Sequence, residues 1–383
     1  MIISVAQRLQ KVEDYYFVKK LEEIKKLIDS GKDIISFGIG SPDLPPSEAT
    51  LKALTDGAQN PKNHGYQPYR GLPELRSGIA DFYQRTYNIA LNPINQVLPL
   101  LGSKEGILHI SMAFLNPGDK VLVPDPGYPT YTSVSNLVSA QIIPYDLTEE
   151  TGWYPNLDEL EKQDLKGVKL MWINYPHMPT GAKANYDRFV ELVAFAKKHS
   201  ILLCHDNPYS LVLNEEAPIS IFSVPGAFEV AVELNSLSKS FNMAGWRVGM
   251  VVGREDYLGA ILRVKSNIDS GMFLPVQLAS IKALENDEAW HETRNEEYAE
   301  RRKLVYQLFD KLGFEYDKKQ MGLFVWAKAP DHITDVPAFA DKLLYENNLF
   351  LTPGMIFGKN GNRYLRASLC VSKERAKQAL DRL

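Results

Sequence analysis

The chain has 383 residues, more than one hydrophobic core usually serves, and its 45% apolar content can supply a large unit and a smaller one. Lys and Arg total 43 against 47 Asp and Glu, and the net charge of -4 provides no global field to draw the chain to nucleic acid or an anionic membrane. Cys204 and Cys370 are too few and too unpatterned for a disulfide framework or a metal site, and they read as buried thiols in a reducing compartment.

The opening residues mix charge into the apolar sequence too early for a secretory signal, and no later stretch approaches the length of a membrane span, so a cytoplasmic location is expected. Phe17, Val18, Leu21, Ile24, Leu27 and Ile28 recur at helical spacing and stop at Ser30-Gly31, which predicts an amphipathic helix. Between residues 97 and 253, short apolar runs such as VLVP, KLMWIN, ILLCHD, VAVELNS and VGMVVG alternate with helical patterns such as FVELVAFAKKH. That alternation predicts an α/β fold around a mainly parallel sheet. Ligands of open parallel sheets sit beyond the carboxyl ends of the strands, and Asn174, Asp206 and Ser236 each close one of these runs. From Ile281 to Leu312 the pattern is a charged helix, with NEEYAERRK read as its solvated face. Strand-like LFVWAKA and YLRASL then predict a small α+β domain.

The segment NSLSKSFNMAGWRVGMVVG, residues 235 to 253, sets Lys239 between two serines just after an apolar strand. A lone lysine is ordinarily a solvated surface charge. Here Ser236 and Ser238 offer hydroxyls to a phosphate, and Gly245, Arg247 and Gly249 follow at spacings that let a guanidinium approach the same dianion with the backbone drawn in close. The spacing S-x-S-K-x5-G-x-R-x-G resembles the cofactor-lysine signature of class I and II aminotransferases, the fold type I pyridoxal phosphate enzymes, and the resemblance covers nearly the whole chain.

This resemblance implies a large domain with a mainly parallel seven-stranded sheet between helices, plus a smaller α+β domain. Residues 1–44 are expected to form an N-terminal arm and part of the small domain, 45–280 the large cofactor-binding domain, and 281–383 the small C-terminal domain. Pyridoxal 5'-phosphate would be held on Lys239 as an internal aldimine. In the D-x-x-Y pattern of DNPYS, Asp206 would face the pyridine nitrogen and keep it protonated, and Tyr209 would donate to the phenolic oxygen. Taken alone, Asp206 reads equally as a helix cap. Gly102, Ser103 and Lys104 precede a helical pattern whose free N–H groups can meet a phosphate, and by resemblance Ser103 and Lys104 join Ser236, Ser238 and Arg247 around it. Lys104 also lies where some relatives place a cation that reads a distal carboxylate, with a solvated loop lysine as the alternative. Tyr128, in PDPGYPTY, would stack on the pyridine ring, unless it is a core aromatic. Tyr66 resembles the tyrosine that crosses a dimer interface to the neighbouring phosphate, which implies a homodimer with shared active sites. On GNRYLRASL, Arg366 is the expected two-pronged clamp for the substrate α-carboxylate, with Gly40 bringing backbone close and Arg363 the solvated rival.

One departure stands out. Where the family usually has P-N-N-P-T-G, this chain has Pro176-His177-Met178-Pro179-Thr180-Gly181, so Met178 replaces an asparagine that donates to the phenolic oxygen. A thioether cannot donate. Tyr209 alone would then hold that oxygen and the aldimine pKa would rise; His177 either swings in or stays outside the pocket.

The implied reaction is ping-pong transamination between an L-amino acid and a 2-oxo acid, with 2-oxoglutarate and glutamate expected as one pair and no metal. The phrases VLPLLGSKEGI, VPDPGYPTY and KSNIDSGMF look most like LL-diaminopimelate aminotransferases and their broad-specificity neighbours, with Ser270 and Gly271 placed near the substrate side chain from this subunit or its partner. The second amino-carboxylate head of diaminopimelate needs an anion and a cation reader, of which only Lys104 can be named. A general aminotransferase acting on methionine, aromatic or acidic substrates, and a fold type I β-lyase, remain open. A ligand-sensing regulator would need a DNA-binding module that the first thirty residues do not resemble.

Overall fold

Seven apolar runs become strands β1 (Val97–Leu100), β2 (Lys120–Asp125), β3 (Gln141–Asp146), β4 (Val168–Asn174), β5 (Leu202–Asp206), β6 (Ala231–Ser236) and β7 (Gly249–Gly253). In the computed structural model, which describes residues 3–11 and 16–383, they form one sheet in the order β1-β7-β6-β5-β4-β2-β3. Only β7 runs against its neighbours, β1 and β6; the other pairs are parallel. Both faces are covered, as an almost unbroken apolar strand requires. Met171, Ile173 and Leu203 pack into one core, while their chain neighbours Leu170, Trp172 and Cys204 pack into the other. Register sets Asn174 beside Asp206 and Asp206 beside Leu234, so Asn174, Asp206 and Ser236 share one edge of the sheet.

The first helix, Tyr16–Asp29, has Ile24 buried and Leu21 and Leu27 packed against Ile34, Leu344 and Phe350, whereas Ile28 faces solvent. The side chains of Phe17 and Val18 lie outside the described residues. Strand Ile35–Ser36 pairs with Leu349–Phe350, joining this N-terminal segment to the C-terminal unit. There β8 (Phe324–Lys328) and β9 (Tyr364–Ser368) pair antiparallel, with Trp326 opposite Arg366.

Helix Leu274–Leu284 crosses the expected boundary at residue 280, because Ala283 and Leu284 pack in the large-domain core. Helix Glu288–Leu312 follows and enters the second core through Tyr298, Val305, Leu308 and Phe309. Its run NEEYAERRK is not simply a solvated face. Tyr298 is fully buried, and Arg301 turns inward to Asp43 at 2.6 Å and Glu297 at 3.0 Å, fastening the loop that follows Gly40. Cys204 and Cys370 are free thiols. Among the described residues no helix is long and apolar enough to cross a membrane.

Candidate active site

A cavity of about 570 Å³ lies where the carboxyl ends of β4, β5 and β6 meet the small domain. Lys239 reaches it from a one-turn helix directly after β6, held at its start by Ser236 Oγ, which accepts from the Ser238 N–H at 3.1 Å. Burial lowers the Lys239 pKa; the Cys370 thiol opposes this, and Arg366 and Arg247 reinforce it. The ammonium donates to the Gly40 carbonyl. Only glycine fits at position 40, because a Cβ there would lie 2.1 Å from the Phe324 ring.

Asp206 ends β5 at 4% exposure. Its Oδ2 accepts from the Tyr131 hydroxyl at 2.9 Å, and its Oδ1 is buried with no partner among the described residues. Burial raises its pKa to about 6, and the Tyr131 bond opposes that rise. An orphaned carboxylate oxygen on a cavity wall calls for a donor from a bound group. Tyr131 is itself stacked on Trp172, at 5.0 Å between centroids and 5° between planes, and meets Tyr128 edge-on at 5.6 Å. Tyr209 lines the same wall, edge-on to Phe324, and burial lifts its pKa far above the ordinary phenol value.

At one end, the helix Ser103–Phe114 starts from Gly102, which has φ +95°. A Cβ on Gly102 would lie 2.1 Å from Arg247 Nη2, and one on Gly249 would lie 2.6 Å from the Ser103 nitrogen. These two glycines let the Arg247 guanidinium and a helix N-terminus converge. Arg247 Nη1 donates to the Ala244 carbonyl at 2.8 Å and reaches Ser238 Oγ at 3.5 Å. Lys104 stands nearby, its pKa lowered by burial and by Arg247. Ser103 and Ser236 complete this end, which is shaped and charged for a phosphate dianion.

At the other end is Arg366, buried in mid-strand. Its Nη2 donates to the Gly38 carbonyl at 2.8 Å, its Nη1 reaches Met178 Sδ at 3.3 Å, and its guanidinium lies 3.9 Å and 4.5 Å from the Phe324 and Phe357 ring centroids. Met178 is fixed by its own N–H, which donates to Asn174 Oδ1 at 2.8 Å, while Asn174 Nδ2 donates to the Asp206 carbonyl at 2.5 Å. His177 stays outside the cavity, bonded to Thr180 at 2.8 Å, and burial drops its pKa to about 3.

Other residues stand apart. Arg363 is not a solvated rival: it donates to the carbonyls of Ala329 and Pro330 at 3.1 and 2.8 Å. Tyr66 is 94% exposed. Ser270 and Gly271 are absent from the cavity wall, and Gly271 instead packs on the Gln67 carbonyl beside Tyr66. Sequence reasoning missed Tyr131, Phe324 and Phe357. The second tyrosine of PDPGYPTY is a signal for Tyr131; nothing local marks the two phenylalanines.

Residues 32–383 match the family model for aminotransferase class I and II. The chain belongs to this family. It is a pyridoxal phosphate-dependent transaminase, and the orphaned Asp206 oxygen, the half-buried Lys239 amine and the glycine-lined anion end fit that cofactor. This aminotransferase is 40% identical over 379 residues to an LL-diaminopimelate aminotransferase from Natranaerobius thermophilus, spanning 99% of this chain and 98% of the relative. Among solved structures, substrate-bound BacF from Bacillus subtilis superposes with a TM-score of 0.95 at 35% identity over 99% of this chain and 97% of the other. A mutant aspartate aminotransferase from Thermus thermophilus gives 0.91 at 26% identity over 99% and 98%.

Proposed function

We propose that this aminotransferase exchanges the amino group of an L-amino acid with 2-oxoglutarate, using the residues around the 570 Å³ cavity. The observation that carries this reading is the convergence on one cavity of a half-buried amine, a carboxylate oxygen without a partner among the described residues, and a buried guanidinium. Bound pyridoxal phosphate supplies a carbonyl that condenses with amines and a ring that takes up the electrons of a broken Cα–H bond. Asp206 Oδ1 would hold the proton of the ring nitrogen, Tyr209 would donate to the phenolic oxygen, and Tyr128 would cover the ring. Ser103, Lys104, Ser236, Ser238 and Arg247 would bind the phosphate. Lys239, whose pKa burial lowers, would take the substrate's Cα proton through its amine. Arg366 would hold the α-carboxylate with both terminal nitrogens, and the backbone at Gly40 would wall in the amino group. The exposed Tyr66, next to the Ser270–Gly271 loop, supports a homodimer in which this edge completes the partner's site.

For the amino donor, the relatives' name supports LL-diaminopimelate. One observation favours a second reading, a broad-specificity enzyme acting on apolar or acidic amino acids. Among the described residues, the cavity wall of one protomer carries Lys104, Lys239, Arg247 and Arg366 but a single acid, Asp206, so these residues offer no second carboxylate for a distal ammonium. Mixing the pyridoxal phosphate-loaded protein with glutamate, LL-diaminopimelate, aspartate, methionine, phenylalanine and cystathionine, and following conversion to the pyridoxamine form, tests both. Conversion by glutamate and diaminopimelate alone supports the first reading and conversion by methionine or phenylalanine the second. No conversion by any of them would overturn the proposal and return attention to β-elimination.

A further inference from the structure

The end of β2 and the loop before β9 are tied together by a contact that the reaction as described does not use. Asp125, the last residue of β2, is only 8% exposed, although it is an aspartate at the boundary between the two domains. Its Oδ1 accepts from the backbone N–H of Asn360 at 3.0 Å and its Oδ2 from that of Lys359 at 3.2 Å. Asn360 answers through its side chain, donating to the Asp125 carbonyl at 3.0 Å and to Asp146 Oδ1 at 2.7 Å. Gly358, at φ +140°, leaves the space for this: a Cβ there would lie 2.2 Å from Asp125 Oδ1. Two residues after Asp125, the Gly127 N–H donates to the Phe357 carbonyl at 2.8 Å. The chain positions on either side of this tie both enter the cavity: Tyr128 from the large domain, and Phe357, whose ring backs the Arg366 guanidinium, from the small one.

We propose that Asp125 is a positioning residue, a carboxylate latch that fixes the 357–360 turn against the large domain and so sets where Arg366 presents its guanidinium relative to Tyr128. The inference rests on the reading of Arg366 as the clamp for the substrate carboxylate. A carboxyl group whose two oxygens accept from two backbone donors is a directional tie, and those two bonds oppose the rise in pKa that burial imposes on Asp125. A latch between the domains places the clamp without touching the substrate, so its loss should act on the carboxylate and not on the amine.

Two probes that differ only by a carboxylate separate these effects: 2-aminoisobutyrate, which has no Cα hydrogen, and isopropylamine. Each is titrated into the pyridoxal phosphate-loaded protein, its affinity is read from the cofactor's visible absorbance, and exchange of the amides of Lys359 and Asn360 is followed in parallel. Asp125→Asn keeps one acceptor but turns a donor toward a donor, so 2-aminoisobutyrate should bind about tenfold more weakly while isopropylamine stays within about twofold and the two amides exchange faster. Gly358→Ala, which leaves Asp125 in place but displaces its carboxylate, should do the same if the first variant fails to fold. Lys359→Ala keeps both backbone donors and removes only an exposed ion pair from its Nζ to Asp146 Oδ1 at 3.2 Å, so both affinities should stay within about twofold. Equal weakening of both probes, or an unchanged affinity for 2-aminoisobutyrate, would overturn the latch. A wild-type protein that binds both probes equally would instead overturn the Arg366 reading, and the latch's role with it.

Discussion

At the cofactor end of the cavity, Asn174, Asp206 and Ser236 close three adjacent strands of one sheet, so the backbone ladder itself sets their spacing. At the substrate end, Arg366 meets Met178 across 188 positions of chain, backed by Phe324 and Phe357 and tied to the large domain through Asp125. Sheet pairing holds the first set whatever their side chains are; the second set holds its place only through its own packing and hydrogen bonds. A substitution at the cofactor end should therefore delete a chemical role without moving its neighbours, whereas one at the substrate end should shift geometry as well.

Lys239→Ala gives the largest expected effect: loss of the amine should lower the single-turnover rate with any amino acid by at least about 10³-fold and leave the fold intact by circular dichroism. An unfolded variant would break the contrast between the two ends. Arg366→Ala removes a buried cation and leaves the Gly38 carbonyl and two rings without their partner, so kcat/KM for amino acids should fall by about 10²-fold or more, mainly through KM, and the melting temperature should fall too. A loss of activity with unchanged stability would mean that the substrate end is as preset as the cofactor end.

Asp206 sharpens the comparison through pH. Its folded pKa of about 6 lies above the ordinary 3.8, so the native state binds this proton more tightly than the unfolded chain does. Stability of the cofactor-free protein should fall as pH rises from about 4 to about 6, and the cost should persist in full above that window. Asp206→Asn should therefore stabilise the cofactor-free protein at pH 7.5, by on the order of 2 to 3 kcal/mol, and have little effect near pH 4, as read by denaturant titration. The same variant should weaken transamination, since an amide cannot hold the ring-nitrogen proton as a carboxylate does.

Met178→Asn is the smallest expected effect. Restoring a donor beside Tyr209 should lower the pH midpoint of the bound cofactor's visible absorbance change by roughly half a unit. An unchanged midpoint would mean that Met178 serves Arg366 alone.

The alternation of strands and helices was legible because apolar runs of strand length, three of them closed by Asn174, Asp206 and Ser236, are local patterns, and S-x-S-K-x5-G-x-R-x-G sets its polar residues within fourteen consecutive positions; the order of the strands was not, because it depends on pairing between distant segments. Tyr131 was half legible: its tyrosine pattern was visible, but its bond to Asp206 spans 75 positions of chain. Arg301 misled because a buried arginine inside a charged run has the same local signature as a solvated one until Asp43 comes to meet it.

By itself, then, the sequence determined the alternation of strands and helices, the positions of Lys239, Asp206, Tyr209 and Arg247, and the absence of the expected asparagine at 178. All of these are properties of neighbours along the chain. Only the tertiary structure decided that Asp206 keeps one oxygen bare, that Met178 lies under Arg366, that His177 is sealed away, and that Asp125 bridges the two domains. Each of those depends on which distant segments exclude water together, and the free energy of a buried polar group is set by the partners that folding brings to it.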